Sequence, residues 1–132
     1  MEKIITALQG RKKSPARLTK NNKIFKAIIK AIKEKKGENI VSLDLKKIDE
    51  AVADYFVVCE AQSNTQINAI ADFVEEMVKI ECDEKPYHIE RSDQWTLVDY
   101  VNIVVHIFQK DYRKFYDLES LWEDAGREEH ND

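Results

Sequence analysis

No apolar run in this chain approaches the roughly 18 residues that a membrane-spanning helix needs. Residues 1–20 also lack the uninterrupted apolar stretch of a secretory signal, and charged residues make up 35% of the chain. We therefore expect a soluble, cytoplasmic protein with no membrane partner. Residues 1–20 are also basic and poor in acids, as transit peptides are, so an organelle stroma or matrix is the minority alternative.

Cysteine is scarce, with only Cys59 and Cys82 in 132 residues. Two lone thiols without a secretory signal indicate a reducing compartment, and Cys59 lies in an apolar run that predicts a small buried side chain. Neither cysteine forms a metal-ligand spacing with the other or with His88 and His106. We therefore predict no metal site and no cofactor.

The chain also lacks the usual sequence motifs of enzymes that use a nucleophilic side chain. Ser63 precedes a helix, but the G-x-S-x-G elbow is absent and a helix cap explains the serine fully. Cys59 has no cationic neighbour in sequence that would lower its pKa. We predict no catalytic residue and a protein that is not an enzyme.

Charge is divided between the two parts of the chain. Residues 1–36 carry 12 basic and two acidic residues, a net charge of +10, and residues 37–132 have a net charge of −14. A basic arm on an acidic body favours contact with a polyanion such as ribosomal RNA. A solubilising tail is the alternative. The arm has no exposed aromatic pattern, so sequence-specific RNA readout is not expected.

Hydrophobic periodicity predicts the order α-β-β-α-β-β-β-α, an α/β fold with a five-stranded mixed sheet flanked by helices. Isoleucines at helical spacing place the first helix near residues 22–36, with Gly37 as its left-handed stop. Ser63 and Gln66 form a capping box for the second helix. Val101-Asn102 is short enough for a hairpin turn, in which the asparagine tolerates a positive φ. The strands are predicted at 39–45, 55–59, 87–91, 95–100 and 103–108, and a broken helix at 111–125.

Six motifs occur in one order along the chain. They are Asp54-Tyr-Phe-Val-Val-Cys59, Ser63 before Gln66, Ile70-Ala-Asp72, Trp95 with Asp99-Tyr100, Val104-Val-His106, and Phe115-Tyr-x-Leu-Glu-x-Leu-Trp122. This succession resembles the ribosomal silencing factor family, also called Iojap-like. The resemblance covers about residues 23–125. It divides the chain into a basic, flexible arm (1–21), a ribosomal silencing factor domain (22–125) and a polar C-terminal tail (126–132).

The resemblance implies a bacterial translation repressor. Such a protein binds the large ribosomal subunit through that subunit's fourteenth protein and sterically blocks joining of the small subunit under nutrient limitation. A large-subunit assembly factor, or another non-catalytic binding module, is the alternative. Whether the chain forms a homodimer is left open.

The resemblance also implies a nucleotidyltransferase-like fold without its catalytic site. Enzymes of that fold hold phosphates with a Gly-Ser pair at a helix start and bind two metals through paired carboxylates. Here residues 60–64 contain no glycine, and Glu60 would repel a triphosphate. The strand at 87–91 carries no carboxylate pair.

The expected docking face lies on the fourth strand. Alternation places Trp95, Leu97 and Asp99 on one side of it, and Trp95 and Tyr100 are aromatics of the kind enriched in interfaces. An acidic rim suits the basic proteins of a ribosome. The resemblance and this pattern give five predicted partner-binding residues: Trp95, Leu97, Asp99, Tyr100 and His106.

Overall fold

A computed structural model describes residues 21–48 and 51–131. The basic arm lies outside these residues except for Asn21. The elements in chain order are α1 (Asn21–Glu34), β1 (Glu38–Asp44), β2 (Tyr55–Ala61), α2 (Asn64–Cys82), β3 (His88–Arg91), β4 (Trp95–Asp99), β5 (Ile103–Gln109), α3 (Lys110–Tyr116), α4 (Leu118–Leu121) and β6 (Gly126–Glu129).

One mixed sheet organises the described chain, with strand order β3-β4-β5-β2-β1-β6. Only β2 and β5 pair in parallel, and every other neighbouring pair is antiparallel. A parallel pair needs a crossover connection, and α2 lies within the one that joins β2 to β5. The predicted α/β class and mixed sheet are confirmed.

The sheet has a core on each face because its strand side chains alternate. The first core cluster packs α1 and α2 against the sheet, with residues such as Ile28 and Ile70 beside Val57. The second lies on the other face and includes Phe56 and Leu118. Its remaining buried members are Val41, Leu43, Leu45, Ala51, Ala53, Val58, Trp95, Leu97, Val104 and Phe108.

The expected count of five strands is wrong, since the sheet has six. β6 lies inside the segment that the sequence marked only as a polar tail, and it pairs antiparallel with β1. All four of its residues are exposed. The strand buries no apolar side chain, so it leaves no hydrophobic alternation in the sequence.

The helix ends agree with the sequence in part. Ser63 caps α2 as predicted, and its Oγ accepts a hydrogen bond from the Gln66 backbone N–H at 3.2 Å. At the end of α1, Lys36 rather than Gly37 takes the left-handed conformation, with φ 65°. Gly37 donates to the Ile32 carbonyl at 2.9 Å. A Cβ on it would lie 2.4 Å from the Ile32 side chain, so close packing requires this glycine.

The hairpin between β4 and β5 is tighter than expected. The positive φ falls on Val101, at 74°, and not on Asn102 as the sequence predicted. The Asn102 N–H donates to the Tyr100 carbonyl at 2.9 Å, which closes a three-residue γ-turn. The Asn102 carbonyl accepts from the N–H groups of Asp54 and Tyr55. Through these two hydrogen bonds, Asn102 connects the hairpin to the start of β2.

Candidate functional site

Three of the five predicted partner-binding residues meet on one face of the sheet. Leu97 pairs with His106 in the β4–β5 register. The Trp95 indole Nε1 donates to His106 Nδ1 at 3.2 Å, and the two rings stack with centroids 6.0 Å apart. Phe56 meets the His106 ring edge-on at 4.7 Å. These residues form a packed aromatic group around a buried histidine.

Asp99 and Tyr100 lie at the far end of β4. The Asp99 Oδ1 accepts a hydrogen bond from the Val101 N–H at 2.7 Å and so supports the γ-turn. Tyr100 belongs to the first core cluster, on the opposite face of the sheet from Leu97. The five predicted residues therefore do not share one surface.

All five predicted residues are buried. Each exposes 1% or less of its surface, and every residue of β4 is buried. β4 is not exposed, because it lies between β3 and β5 and its side chains join both core clusters. The polar residues Asp93 and Gln94, which precede Trp95, belong to the bend before the strand.

Of the five large apolar side chains that are exposed in the described residues, two adjoining aromatic ones lie on α3, and the others are Ile80, Tyr87 and Leu121. Phe115 is 77% exposed and Tyr112 36% exposed, and their ring centroids are 6.5 Å apart. Tyr116 contacts Phe115 at 5.5 Å and packs inward against Phe108 at 5.7 Å. We call Tyr112, Phe115 and Tyr116 the aromatic ridge. The Tyr116 hydroxyl donates to Gln94 Oε1 at 2.8 Å, which ties the ridge to the start of β4.

A group of ion pairs holds the ridge helix on the sheet. The nearly buried Arg113 guanidinium donates to Glu60 Oε1 at 3.1 Å, to Glu119 Oε1 at 3.0 Å and to the Asn39 carbonyl at 2.6 Å. Arg127 of β6 binds the other carboxylate oxygen of Glu119. Burial opposes ionisation of Glu119, but hydrogen bonds and attraction from the two arginines outweigh it and lower its pKa.

The sequence motif at 115–122 includes Phe115 and Tyr116 of the ridge but not Tyr112, and it did not show that the ridge is exposed. Helix α3 has only seven residues, which is too short for hydrophobic spacing to show which side faces the core. Arg113 is on the inward side of the helix, although a hydrophobicity pattern predicts that a charged residue faces solvent. Burial of this arginine leaves Tyr112 and Phe115 on the outside.

The side chains that could take part in catalysis are buried or make structural contacts. The Glu60 carboxylate is paired with Arg113, and Ser63 caps a helix. Burial raises the pKa of the Cys59 thiol to about 12, which makes it a poor nucleophile. Among residues 21–48 and 51–131, no group of three or more His, Cys, Asp or Glu side chains could hold a metal ion.

None of the helices in the described part of the chain is long and apolar enough to cross a bilayer.

A family model described as "Ribosomal silencing factor during starvation" matches residues 18–132. The chain is 38% identical over 107 residues to the ribosomal silencing factor RsfS of Bacillus subtilis, covering 77% of this chain and 86% of that protein. It is 36% identical over 110 residues to RsfS of Halalkalibacterium halodurans, covering 80% and 90%. The match therefore includes β6, beyond the expected boundary at residue 125.

More distant relatives carry names from organelles. A mouse protein named mitochondrial assembly of ribosomal large subunit protein 1 is 34% identical over 73 residues, covering 52% of this chain and 32% of that one. Among solved structures, a Chromobacterium violaceum protein superposes with a TM-score of 0.72 at 32% identity, over 77% of this chain and 85% of that one. A Bacillus halodurans protein gives a TM-score of 0.68 at 31% identity, over 76% and 94%.

Proposed function

Since the chain belongs to the ribosomal silencing factor family, we propose that it is a non-catalytic protein that binds the large ribosomal subunit and represses translation. The observation that carries this proposal is the family match over residues 18–132, together with RsfS relatives at 36% and 38% identity. The family name describes silencing rather than a reaction. In a bacterium the place of action would be the cytoplasm.

We propose the fourteenth protein of the large subunit as the direct partner. Occupancy of that protein at the surface between the subunits would block joining of the small subunit sterically, and translation would fall when nutrients are short. The resemblance of the sequence motifs is the support for this partner. The acidic body, with a net charge of −14 over residues 37–132, suits a basic ribosomal protein because opposite charges speed encounter.

We propose the aromatic ridge as the centre of the docking surface. Exposed aromatic side chains in a small cluster are typical of interface hot spots, and Phe115 has most of its surface free to be buried by a partner. The predicted residues Trp95 and His106 lie beneath the ridge, connected to it through Phe108 and Tyr116. Their role in this proposal is to hold the ridge in place.

Two variants test which residues touch the partner. Phe115→Ala should weaken binding to the isolated fourteenth protein by at least about tenfold, since a central interface aromatic contributes about 2 kcal/mol. Its melting temperature should stay unchanged because the side chain is exposed. Trp95→Phe removes the N–H donated to His106 and should lower the melting temperature while binding is retained. If Trp95→Phe loses binding and Phe115→Ala keeps it, the partner contacts the β4 face and not the aromatic ridge.

Absence of catalysis is part of the proposal. The family resemblance implies a nucleotidyltransferase-like fold. However, Glu60 and Ser63 make structural contacts here, with Arg113 and with the start of α2. Incubation with labelled nucleoside triphosphates and magnesium should give no nucleotidyl product. Turnover that disappears in Ser63→Ala would show that the chain is an enzyme.

A second candidate function is large-subunit assembly, which the name of the mouse relative favours. The two functions differ in what loss of the protein does. A silencing factor that is absent leaves mature subunits free to join during starvation. An assembly factor that is absent leaves immature large-subunit particles during growth, which gradient profiles of growing cells would show.

The basic arm remains a proposed RNA contact. Residues 1–20 carry a net charge of +5, and phosphate contacts by such a segment would be weakened by salt. Deleting these residues should reduce large-subunit binding at low salt more than at high salt. Equal binding by the full and shortened chains at every salt concentration would show that the arm is only a tail.

A further inference from the structure

Helix α1 presents one row of lysines to solvent. Lys23, Lys26, Lys30 and Lys33 are all exposed, and their spacing of three, four and three residues places them on one side of a helix. At a rise of 1.5 Å per residue the row is about 15 Å long. We call these four residues the lysine face. The opposite side of the helix is buried in the first core cluster through Ile24, Ile28 and Ile32.

Lys23, Lys26 and Lys30 of the lysine face are poorly neutralised by the described part of the chain. Among the described residues, Lys23 and Lys26 form no ion pair. The Lys30 Nζ lies 3.5 Å from Glu81 Oε1, but both side chains are exposed and such surface pairs contribute little. Glu34 is the only acidic residue of α1. Positive charge is therefore concentrated on this face, although residues 37–132 have a net charge of −14.

The chemistry of the face selects its ligand. Lysine ammonium groups bind phosphates as point charges and read no base identity. The face carries no aromatic platform for base stacking, because Phe25 packs against Tyr55 and His130 with ring centroids 5.1 and 5.7 Å away. A membrane surface fits poorly, since the apolar side of α1 is buried in the core and has nothing to insert.

We infer that the lysine face of α1 binds the phosphate backbone of ribosomal RNA beside the docked protein. The choice of RNA as the polyanion rests on the proposed function. These lysines belong to the folded domain, so the contact is separate from that proposed for residues 1–20. In this arrangement the acidic body meets a basic ribosomal protein while α1 meets RNA, which fixes the orientation of the bound chain.

The test measures binding of a short fluorescent RNA duplex by anisotropy as salt is varied. The full chain is compared with Lys23→Glu/Lys26→Glu and with a control, Lys110→Glu/Lys114→Glu, which changes the net charge equally on another exposed helix. The α1 variant should bind at least about tenfold more weakly, and the slope of log K against log salt should fall by about two. The control should stay near wild type.

The design separates the possible outcomes. Circular dichroism checks folding, and new glutamates near the start of α1 suit the helix dipole. An equal loss in both variants, no loss in either, or no RNA binding by the wild type at low salt would each overturn the inference. Wild-type binding to phosphatidylglycerol vesicles as tight as to RNA would also overturn it. Binding to the isolated fourteenth protein, which contains no RNA, tests the proposed function separately.

Discussion

At the scale of single residues, backbone conformation and burial decide more than residue type suggests. Val101 takes a positive φ that a β-branched side chain rarely adopts, and it does so because Asp99 and Asn102 both hold the turn. Arg113 is buried among carboxylates, whereas the neutral Phe115 is exposed. In each case the tertiary contacts determine the placement.

The strain at Val101 can be measured. Val101→Gly should raise the free energy of unfolding by about 1 kcal/mol, because glycine takes this φ without steric cost. Val101→Ala is the matched control, since it removes the branched side chain but keeps the Cβ. Chemical denaturation of the three proteins gives the comparison. If alanine stabilises as much as glycine, the strain lies in the side chain and not in φ.

These residues also show what a sequence can and cannot predict. The Ser63–Gln66 cap and the buried Cys59 were predictable because each depends on local sequence. The left-handed position was misplaced at both Lys36 and Val101, because the sequence offered Gly37 and Asn102 as the easier choices. Burial of Trp95 depends on the strand order, which local patterns do not encode.

At the scale of elements, the C-terminal part is fixed by polar contacts rather than by apolar burial. Glu119 of α4 binds Arg113 of α3 and Arg127 of β6, and Arg113 reaches Glu60 of β2. The sequence predicted the broken helix because that segment has a visible apolar pattern. It missed β6 because a strand made only of exposed residues has no such pattern.

The Glu119 contacts should make stability depend on pH. The pKa of Glu119 in the folded protein is below its ordinary value of 4.5, so its contribution is present above that pH and is lost as the pH falls through the folded pKa. Glu119→Gln should cost about 1–2 kcal/mol near neutral pH. The difference in unfolding free energy between the two proteins should shrink in acid. A difference that is constant with pH would contradict the ion-pair account.

Removal of β6 tests how much the added strand contributes. Deleting residues 126–132 breaks the β1–β6 pairing and the His130 N–H to Ile40 carbonyl bond of 2.9 Å. The melting temperature should fall, while the far-ultraviolet spectrum should show that the other elements persist, because no core cluster includes a β6 side chain. The exposed edge of β1 should also promote aggregation. Complete unfolding would show that β6 is essential.

At the scale of the whole molecule, charge of opposite sign is divided between the two parts of the chain. A positive segment over residues 1–36 precedes an acidic body, and the exposed aromatic ridge is an apolar surface that a partner could bury. Family membership names the ribosome as the setting in which such a surface would act. The sequence motifs predicted this family, but the position of the ridge required the structure.

Sedimentation through a sucrose gradient shows whether the protein binds the large subunit and prevents subunit joining. Purified large and small ribosomal subunits are mixed with the protein under conditions in which they normally join. The account predicts that the protein migrates with the large subunit alone and that joined ribosomes decrease, whereas Phe115→Ala leaves joining intact. Migration with the small subunit, with neither subunit, or with fully joined ribosomes would contradict it.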